Sequence, residues 1–339
     1  MKQGRLVGID LGMAIAVLAY SALSISGAVG SWEPLAGTFE NNLLEDVFLA
    51  LLFYMFGFRS SFVIRTALPG PRRSFRYFLV RGTSILLLGA IHYWLNNDLI
   101  LLGIGFCVIF SPVFAMLHSS FLYFFMFAAA IVSLIVSLNF IEDAEYLSHY
   151  HDNWKELLLF TRQDAIIPWS LFYFSGMIIG RKNFGEPKWF RYFTSSSIIF
   201  LVFAVSMNYF INSFFKGSYL IDFEQVSRLF PFKINVYRPS FFLLALPLCN
   251  LMLIGASLLS EKTTDRPFWG GIFRIGQFHL SYVLIAILVS AALNGINVES
   301  WWIAPTVAGI FVIIMVSIAT LTKDLIHHGP LEWLIQRMY

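Results

Sequence analysis

The sequence predicts an all-α polytopic membrane protein with about ten transmembrane helices and both termini in the cytoplasm. Of its 339 residues, 58% are apolar and 17% aromatic, and only 13% are charged, about half the charged share of a soluble domain. The apolar residues form ten runs, and ten spanning helices of about 20 residues would fill roughly 200 positions. Soluble enzymes, nucleic-acid-binding modules and secreted scaffolds are therefore excluded.

The ten apolar runs are assigned to helices. None alternates polar and apolar residues as a barrel strand does, and a helix satisfies its own backbone hydrogen bonds in lipid. The first run is expected to be retained rather than cleaved as a signal peptide, because Asp10 lies inside it and nine more runs follow. Residues 1–339 are thus predicted to form a single membrane domain. The runs lie near residues 6–29, 43–63, 78–96, 99–117, 120–141, 165–180, 190–214, 240–260, 272–294 and 301–321.

The basic residues predict the orientation of these spans. With the N-terminus inside and the sides alternating, 17 of the 23 lysines and arginines face the cytoplasm. This bias follows the positive-inside rule. Residues 142–164 and 215–239 then form extracytoplasmic loops, and residues 322–339 form a cytoplasmic C-terminal tail.

Histidines and cysteines do not predict a metal site. His149 and His151 lie two residues apart in the loop 142–164, and a helix would point them to different faces. Cys107 and Cys249 lie inside apolar runs, where a cysteine is most often a packing residue. No metal is therefore expected.

The third run, 78–96, contains a polar stripe. An ionisable residue inside a span is costly, so each one is a candidate for function. Arg81 and His92 are eleven residues apart, which returns them to within about 20° of each other on a helix and separates them by about 16 Å. Gly82 and Gly89 flank this stripe and permit a close helix neighbour, so the stripe is expected to face the bundle interior. His92 is either a general base or a hydrogen-bonding partner of another helix, and Arg81 either belongs to a site or reaches the headgroups.

Asp98 and an arginine cluster extend the candidate site. Asp98 follows His92 on the outer turn, where a carboxylate can orient an imidazole. Before the third run, Pro69, Gly70 and Pro71 break the helix. Arginines suit phosphate groups and also anionic lipid headgroups, and the sequence leaves both open. The cluster consists of Arg72, Arg73, Arg76 and Arg81.

The remaining candidate polar residues inside the runs are Asp10 in the first, Asn208 in the seventh, Asn250 in the eighth, and Gln277, His279 and Ser281 in the ninth. On one straight helix, Gln277 and Ser281 share a face with Arg274, whereas His279 lies about 140° away. This predicts that they do not all line one cavity. Sequence motifs of phosphate-binding loops, dinucleotide sites, zinc proteases and nucleophile elbows do not occur.

Five segments spread over nearly the whole chain carry a family signature. They are FLALLFYMFGF at 48–58, RGTSILLLGAIHYWLNNDLILLGIG at 81–105, GMIIGR at 176–181, RIGQFHLSY at 274–282 and HGPLEWLIQR at 328–337. Together they resemble the bacterial YeiB-like membrane proteins. The most specific pieces are Gly89-Ala90-Ile91-His92 with Asp98-Leu99-Ile100-Leu101, and Gly329-Pro330-Leu331-Glu332-Trp333.

This resemblance implies membership of a superfamily of transmembrane acyltransferases that includes heparan-α-glucosaminide N-acetyltransferase and the glycan O-acyltransferases. In the latter, a basic residue, ten residues and then His in the third helix, with Arg-x-x-Arg nearby, are associated with acyl-coenzyme A handling. Arg81 and His92 reproduce the first pattern, and Arg73-Ser74-Phe75-Arg76 the second.

The implied activity is transfer of an acyl group from cytoplasmic acyl-coenzyme A (acyl-CoA) to an envelope sugar, lipid or peptide, in the bacterial cytoplasmic membrane. His92 and Asp98 would be catalytic. The arginine cluster would bind the donor. Membrane lipid is an expected partner, and nucleic acid is not. The sequence leaves open the acyl group, the acceptor and the oligomeric state, which includes a homo-oligomer.

The chain departs from the family pattern at two arginines and at a His or Asn expected later in the first span, where Tyr20 and Ser21 are the nearest polar residues. The family's Asp-x-x-Arg-Gly opening is Asp10-Leu11-Gly12-Met13-Ala14 here, and a Gly-Arg pair of the ninth span is Gly276-Gln277. These departures favour a rival hypothesis, a non-enzymatic transporter, exporter or immunity-type binding protein.

Overall fold

The computed structural model describes residues 4–29, 39–66, 71–96, 99–139, 166–182, 187–214, 239–263, 267–294, 296, 302–322 and 329–338. Within these ranges it is all-α, as predicted, with twelve helices and no strand. The helices are α1 (Gly4–Val29), α2 (Phe39–Thr66), α3 (Pro71–Asn96), α4 (Ile100–Met116), α5 (Ser119–Asn139), α6 (Ile166–Gly180), α7 (Pro187–Phe214), α8 (Pro239–Thr263), α9 (Pro267–Gln277), α10 (His279–Leu293), α11 (Ile303–Leu321) and α12 (Pro330–Met338).

Six of these helices are long and apolar enough to cross a membrane, namely α1, α2, α3, α7, α8 and α11. Helices α9 and α10 form a seventh candidate span, bent by 89°. Apolar helices long enough to span a membrane are the mark of an integral membrane protein. The prediction of about ten spans also counts α4, α5 and α6, which coincide with apolar runs but are shorter apolar helices in the described residues.

Proline sets the start of five helices. Pro71, Pro187, Pro239, Pro267 and Pro330 are each the first residue of their helix. Proline suits this position because its fixed φ is already helical and its missing N–H would have had no acceptor within the helix. The local sequence therefore determines where these five helices begin.

Helix α1 is central to the bundle. It packs against α2, α8, α9, α10 and α11, and its residues Met13, Ala14, Ala16 and Val17 are fully buried. Small side chains on one helix let several neighbours approach it. A central α1 brings its polar residues Asp10 and Tyr20 into the interior.

Glycines allow the two closest helix pairs, α3 with α4 and α2 with α6. A Cβ added at Gly82 would lie 2.8 Å from Ile109 N, and one added at Gly89 would lie 2.6 Å from Leu102 N. The predicted glycine seam on α3 is thus confirmed, and it faces α4. Between α2 and α6, a Cβ at Gly176 would overlap the carbonyl group of Tyr54.

Candidate functional site

Buried polar side chains lie at two levels that α1 and α3 both cross. Arg81 is 5% exposed and His92 1% exposed, so the predicted stripe does face the interior. On α1, Asp10 lies at the level of Arg81, and Tyr20 lies at the level of His92. Helices α1 and α3 therefore run in the same direction, with about 15 Å between the levels. We call the first level the charged layer (Asp10, Arg59, Arg81, Gln277 and His279) and the second the His92 cavity.

Arg59 joins three helices in the charged layer. Its Nη1 lies 3.5 Å from Asp10 Oδ1 of α1 and donates a hydrogen bond of 2.7 Å to Gly276 O of α9. Gln277 Nε2 donates to Asp10 Oδ2 over 3.2 Å. Because α9 ends here, its last carbonyls lack helical donors. A guanidinium at this end is also favoured by the helix dipole.

His279 connects the carboxyl end of α9 to Arg81. Its Nδ1 lies 3.1 Å from Gly276 O, and its Nε2 lies 2.6 Å from Arg81 Nη2. A carbonyl only accepts and a guanidinium only donates, so the bonds require a neutral imidazole with its proton on Nδ1. Arg81 Nη1 also donates to Tyr77 OH over 2.7 Å. Arg81 is thus held inside the protein, 5% exposed.

The 89° bend between α9 and α10 corrects one expectation. The sequence placed Gln277, His279 and Ser281 on one straight helix, which is wrong because the chain turns at Phe278. The three side chains bind different partners. Gln277 binds Asp10, His279 binds Arg81, and Ser281 binds Glu332.

Glu332 of α12 caps the amino end of α10. Its Oε1 accepts hydrogen bonds from Leu280 N at 2.8 Å and Ser281 N at 3.3 Å, and its Oε2 accepts one from Ser281 Oγ at 2.5 Å. A carboxylate at a helix amino end is stabilising. The sequence analysis did not single out Glu332 as a site residue. No local signal was available, because the start of α10 after Phe278 is visible only in the structure.

The His92 cavity has a volume of about 270 Å³. His92 Nδ1 lies 2.9 Å from Tyr20 OH, and Asn96 Nδ2 donates to Ser290 Oγ over 3.1 Å. Asn96 Oδ1 is buried without a hydrogen-bond partner among the residues described. The lining residues are Tyr20, Leu23, Ser24, Gly27, Ala28, Leu49, His92, Asn96, Ile100, Ser290 and Asn294.

The other predicted site residues are placed as follows. Arg72, Arg73 and Arg76 are exposed at the start of α3, and Arg76 Nη2 donates to Met338 O over 3.1 Å. They differ from Arg81, which is buried. Asp98 lies outside the described residues, as do residues 142–164 with their two histidines and residues 215–238.

Two residues that the sequence did not single out complete the site, Arg59 and Tyr20. Met13, which stands where the resembled family has an arginine, is fully buried, and Asp10 is paired instead by Arg59 of α2. No group of three or more His, Cys, Asp or Glu able to hold a metal occurs in the part of the chain that the structure describes.

Comparison with known proteins gives no relative: no protein-family model, no curated protein and no solved structure matches the chain.

Proposed function

We propose that this chain is a membrane-embedded acyltransferase that moves an acyl group from cytoplasmic acyl-CoA to a hydroxyl or amine of an envelope sugar, lipid or peptide. The observation that supports it best is His92, a buried imidazole on the wall of a polar cavity and hydrogen-bonded to Tyr20 OH. The resemblance to the YeiB-like proteins points the same way.

In this proposal His92 is the general base. When Nδ1–H donates to the Tyr20 oxygen, Nε2 is the basic nitrogen, because a neutral imidazole carries one proton. Nε2 takes the proton of the acceptor hydroxyl or amine as that atom bonds to the acyl carbon. The thioester C–S bond then breaks, and the leaving thiolate takes the proton from the imidazolium. Asp98 is predicted to orient the imidazole; with Nδ1 bonded to Tyr20 and Nε2 facing the acceptor, it would act by stabilising the imidazolium charge, so Asp98→Asn would cost less than loss of His92.

The donor would bind along α3. Arg72, Arg73 and Arg76 are exposed at its start, where guanidinium groups can bind the phosphates of coenzyme A in bidentate fashion. The pantetheine arm would run past Arg81 towards His92, over the roughly 16 Å between these two residues on one helix. Arg81, held by His279 and Tyr77, would line this path.

The proposed placement follows the charge bias of the sequence. Both termini and the start of α3 would face the cytoplasm of a bacterium, and the His92 cavity would lie towards the outer leaflet. Helices α4, α5 and α6 would be spans as well, which gives about ten. The loops 142–164 and 215–239 would be extracytoplasmic and close to the acceptor.

The broken span bears on the rival hypothesis of a transporter. In transporters, the free ends of broken helices bind ions or substrate. Here the carbonyl of Gly276 at the end of α9 accepts from Arg59, and the amino end of α10 binds Glu332. Since the protein's own side chains occupy both ends, this break favours an enzyme with its site elsewhere, at His92.

The test uses the full chain in lipid nanodiscs with acetyl-CoA as the probe. The wild type is expected to bind coenzyme A and to release its thiol, with water or added envelope extract as the acceptor. His92→Ala should lower turnover by at least about 10²-fold, the low end of general-base catalysis, and should leave coenzyme A binding intact.

The matched control is His118→Ala, because His118 is exposed and its ring hydrogen-bonds to the neighbouring Ser120. It should keep the wild-type rate. A His92→Ala protein with the wild-type rate would exclude the mechanism. A wild type that neither binds nor cleaves acetyl-CoA would favour the non-enzymatic binding protein.

A further inference from the structure

The amino end of α10 needs a partner from outside its own helix. Its first-turn amides, Leu280 N and Ser281 N, have no carbonyl acceptor within α10, and the N-cap residue Phe278 provides no side-chain acceptor. Glu332 supplies both bonds and a third to Ser281 Oγ. Glu332, which is 51 positions from Ser281 in sequence, thus caps the helix end at the break.

Helix α12 is docked on two helices at once. Leu331 N donates to Ser281 Oγ over 3.1 Å, and a Cβ added at Gly329 would lie 2.7 Å from that same oxygen. At its other end, Met338 O accepts from Arg76 of α3, and Ile335 is buried between. The helix therefore bridges the break and the start of α3.

The residues that Glu332 binds are next to His279. The His279 ring lies between Gly276 O and Arg81 Nη2, so its position depends on where α10 begins. Arg59 holds the carboxyl end of α9, and Glu332 holds the amino end of α10. If the Glu332 carboxylate is removed, the amino end of α10 loses three hydrogen bonds and keeps the one from Leu331 N to Ser281 Oγ.

We propose that Glu332 is a positioning residue and that α12 is a clasp, which sets the start of α10 and thereby holds His279 against Arg81. This inference rests on the proposed function only in that Arg81 lines the donor path. Glu332 itself touches neither the proposed donor nor the acceptor. Its effect on the donor is transmitted through α10, His279 and Arg81 in turn.

The experiment compares Glu332→Ala with Arg337→Gln in the full chain in nanodiscs. Arg337 is on the same helix, exposed, and lies over the Trp333 ring of α12 at 4.0 Å, so its loss should leave the clasp in place. Hydrogen exchange of the Leu280 and Ser281 amides measures the capping. The ¹⁵N resonance of His279 Nε2, assigned by its disappearance in His279→Gln, measures the bond to Arg81.

Glu332→Ala is expected to speed exchange at both amides and to move the Nε2 resonance, while the His92 resonances stay unchanged. It should raise the KM for acetyl-CoA about tenfold, with a smaller change in kcat. A tenfold change in KM corresponds to the loss of about one hydrogen bond to a charged group. Arg337→Gln should change none of these.

Glu332→Gln keeps the size of the side chain and one acceptor oxygen, so it serves if Glu332→Ala does not fold. It should change amide exchange, the His279 resonance and the KM in the same direction as Glu332→Ala, with smaller magnitude. Unchanged amide exchange, or faster exchange with an unchanged His279 resonance, would overturn the clasp. Both readouts are independent of turnover, so an inactive wild type would reject the proposed function and still test the clasp.

Discussion

The charged layer and the His92 cavity are both polar regions between helices, and they differ in how their polar groups are satisfied. In the charged layer, Asp10 pairs with Arg59, and Arg59, His279 and Arg81 are joined through Gly276 O and the imidazole nitrogens. The His92 cavity instead is an open space of about 270 Å³, and Asn96 Oδ1 on its wall lacks a hydrogen-bond partner within the described ranges.

This difference predicts a structural role for the charged layer and a functional role for the His92 cavity. A buried charge is tolerated when a partner compensates it, and removal of one partner is strongly destabilising. A cavity with convergent polar groups is the usual form of a small-molecule site. We therefore expect changes in the charged layer to act first on stability, and changes at the His92 cavity to act first on activity.

The largest effect on stability is expected for Arg59→Met. It leaves the Asp10 carboxylate and Gly276 O without the guanidinium. Loss of one member of a fully buried pair costs about 3–5 kcal/mol, and the side chains of this pair are 16% and 19% exposed, so a loss of about 3 kcal/mol is expected. Thermal unfolding in detergent measures it. Arg65→Met is the control, because Arg65 is exposed and its guanidinium bonds a backbone carbonyl, that of Arg181, and no carboxylate in the part of the chain that the structure describes. The double variant Arg59→Met with Asp10→Leu should recover much of the loss, and a single variant as stable as the double one would contradict this account.

Gly276→Ala should cost about 1–3 kcal/mol, the usual range for overpacking. Its Cβ would lie 2.6 Å from the carbonyl carbon of Asp10 and 3.0 Å from its Cα, so α1 has to move away from α9. Gly309→Ala is the matched control, since a Cβ there meets nothing within 4 Å. The same unfolding measurement should find the control equal to or more stable than the wild type. Equal stability of both variants would show that α1 and α9 can separate freely.

Tyr20→Phe is expected to change activity more than stability. It keeps the ring and removes the hydroxyl that lies 2.9 Å from His92 Nδ1, a loss of about 1 kcal/mol for one hydrogen bond. Acetyl-CoA turnover should fall about tenfold, as expected when a base loses its orienting partner. Tyr54→Phe removes a comparable bond to Asn250, away from the cavity lining, and should leave turnover unchanged. Equal loss of turnover in both variants would point to a general packing effect.

The smallest effect on stability is expected for the double change of Arg73 and Arg76 to Gln, because both residues are exposed and exposed polar contacts contribute little. Coenzyme A binding, measured by titration calorimetry, should nevertheless weaken. The control changes Lys188 and Arg191 to Gln, two exposed cations at the start of α7. Unaltered coenzyme A binding in the Arg73 and Arg76 variant would indicate that these arginines bind lipid headgroups instead.

Periodicity along single helices was predictable from the sequence. The apolar runs coincide with helices, five prolines mark helix starts, and the stripe of Arg81 and His92 beside Gly82 and Gly89 faces the interior. These features depend on residues at most eleven positions apart, and the fixed angle of 100° per residue places them on one helix face.

Tertiary structure alone decided the partners of those residues. Tyr20 and His92 are 72 positions apart in sequence, and Arg81 and His279 are 198 apart, so no local pattern relates them. The break at Phe278 contains no proline. It is held instead by Arg59 at one helix end and Glu332 at the other. Because unsatisfied helix ends are stable in a buried setting only when another helix brings a donor or an acceptor, this bend follows from the packing of α2 and α12.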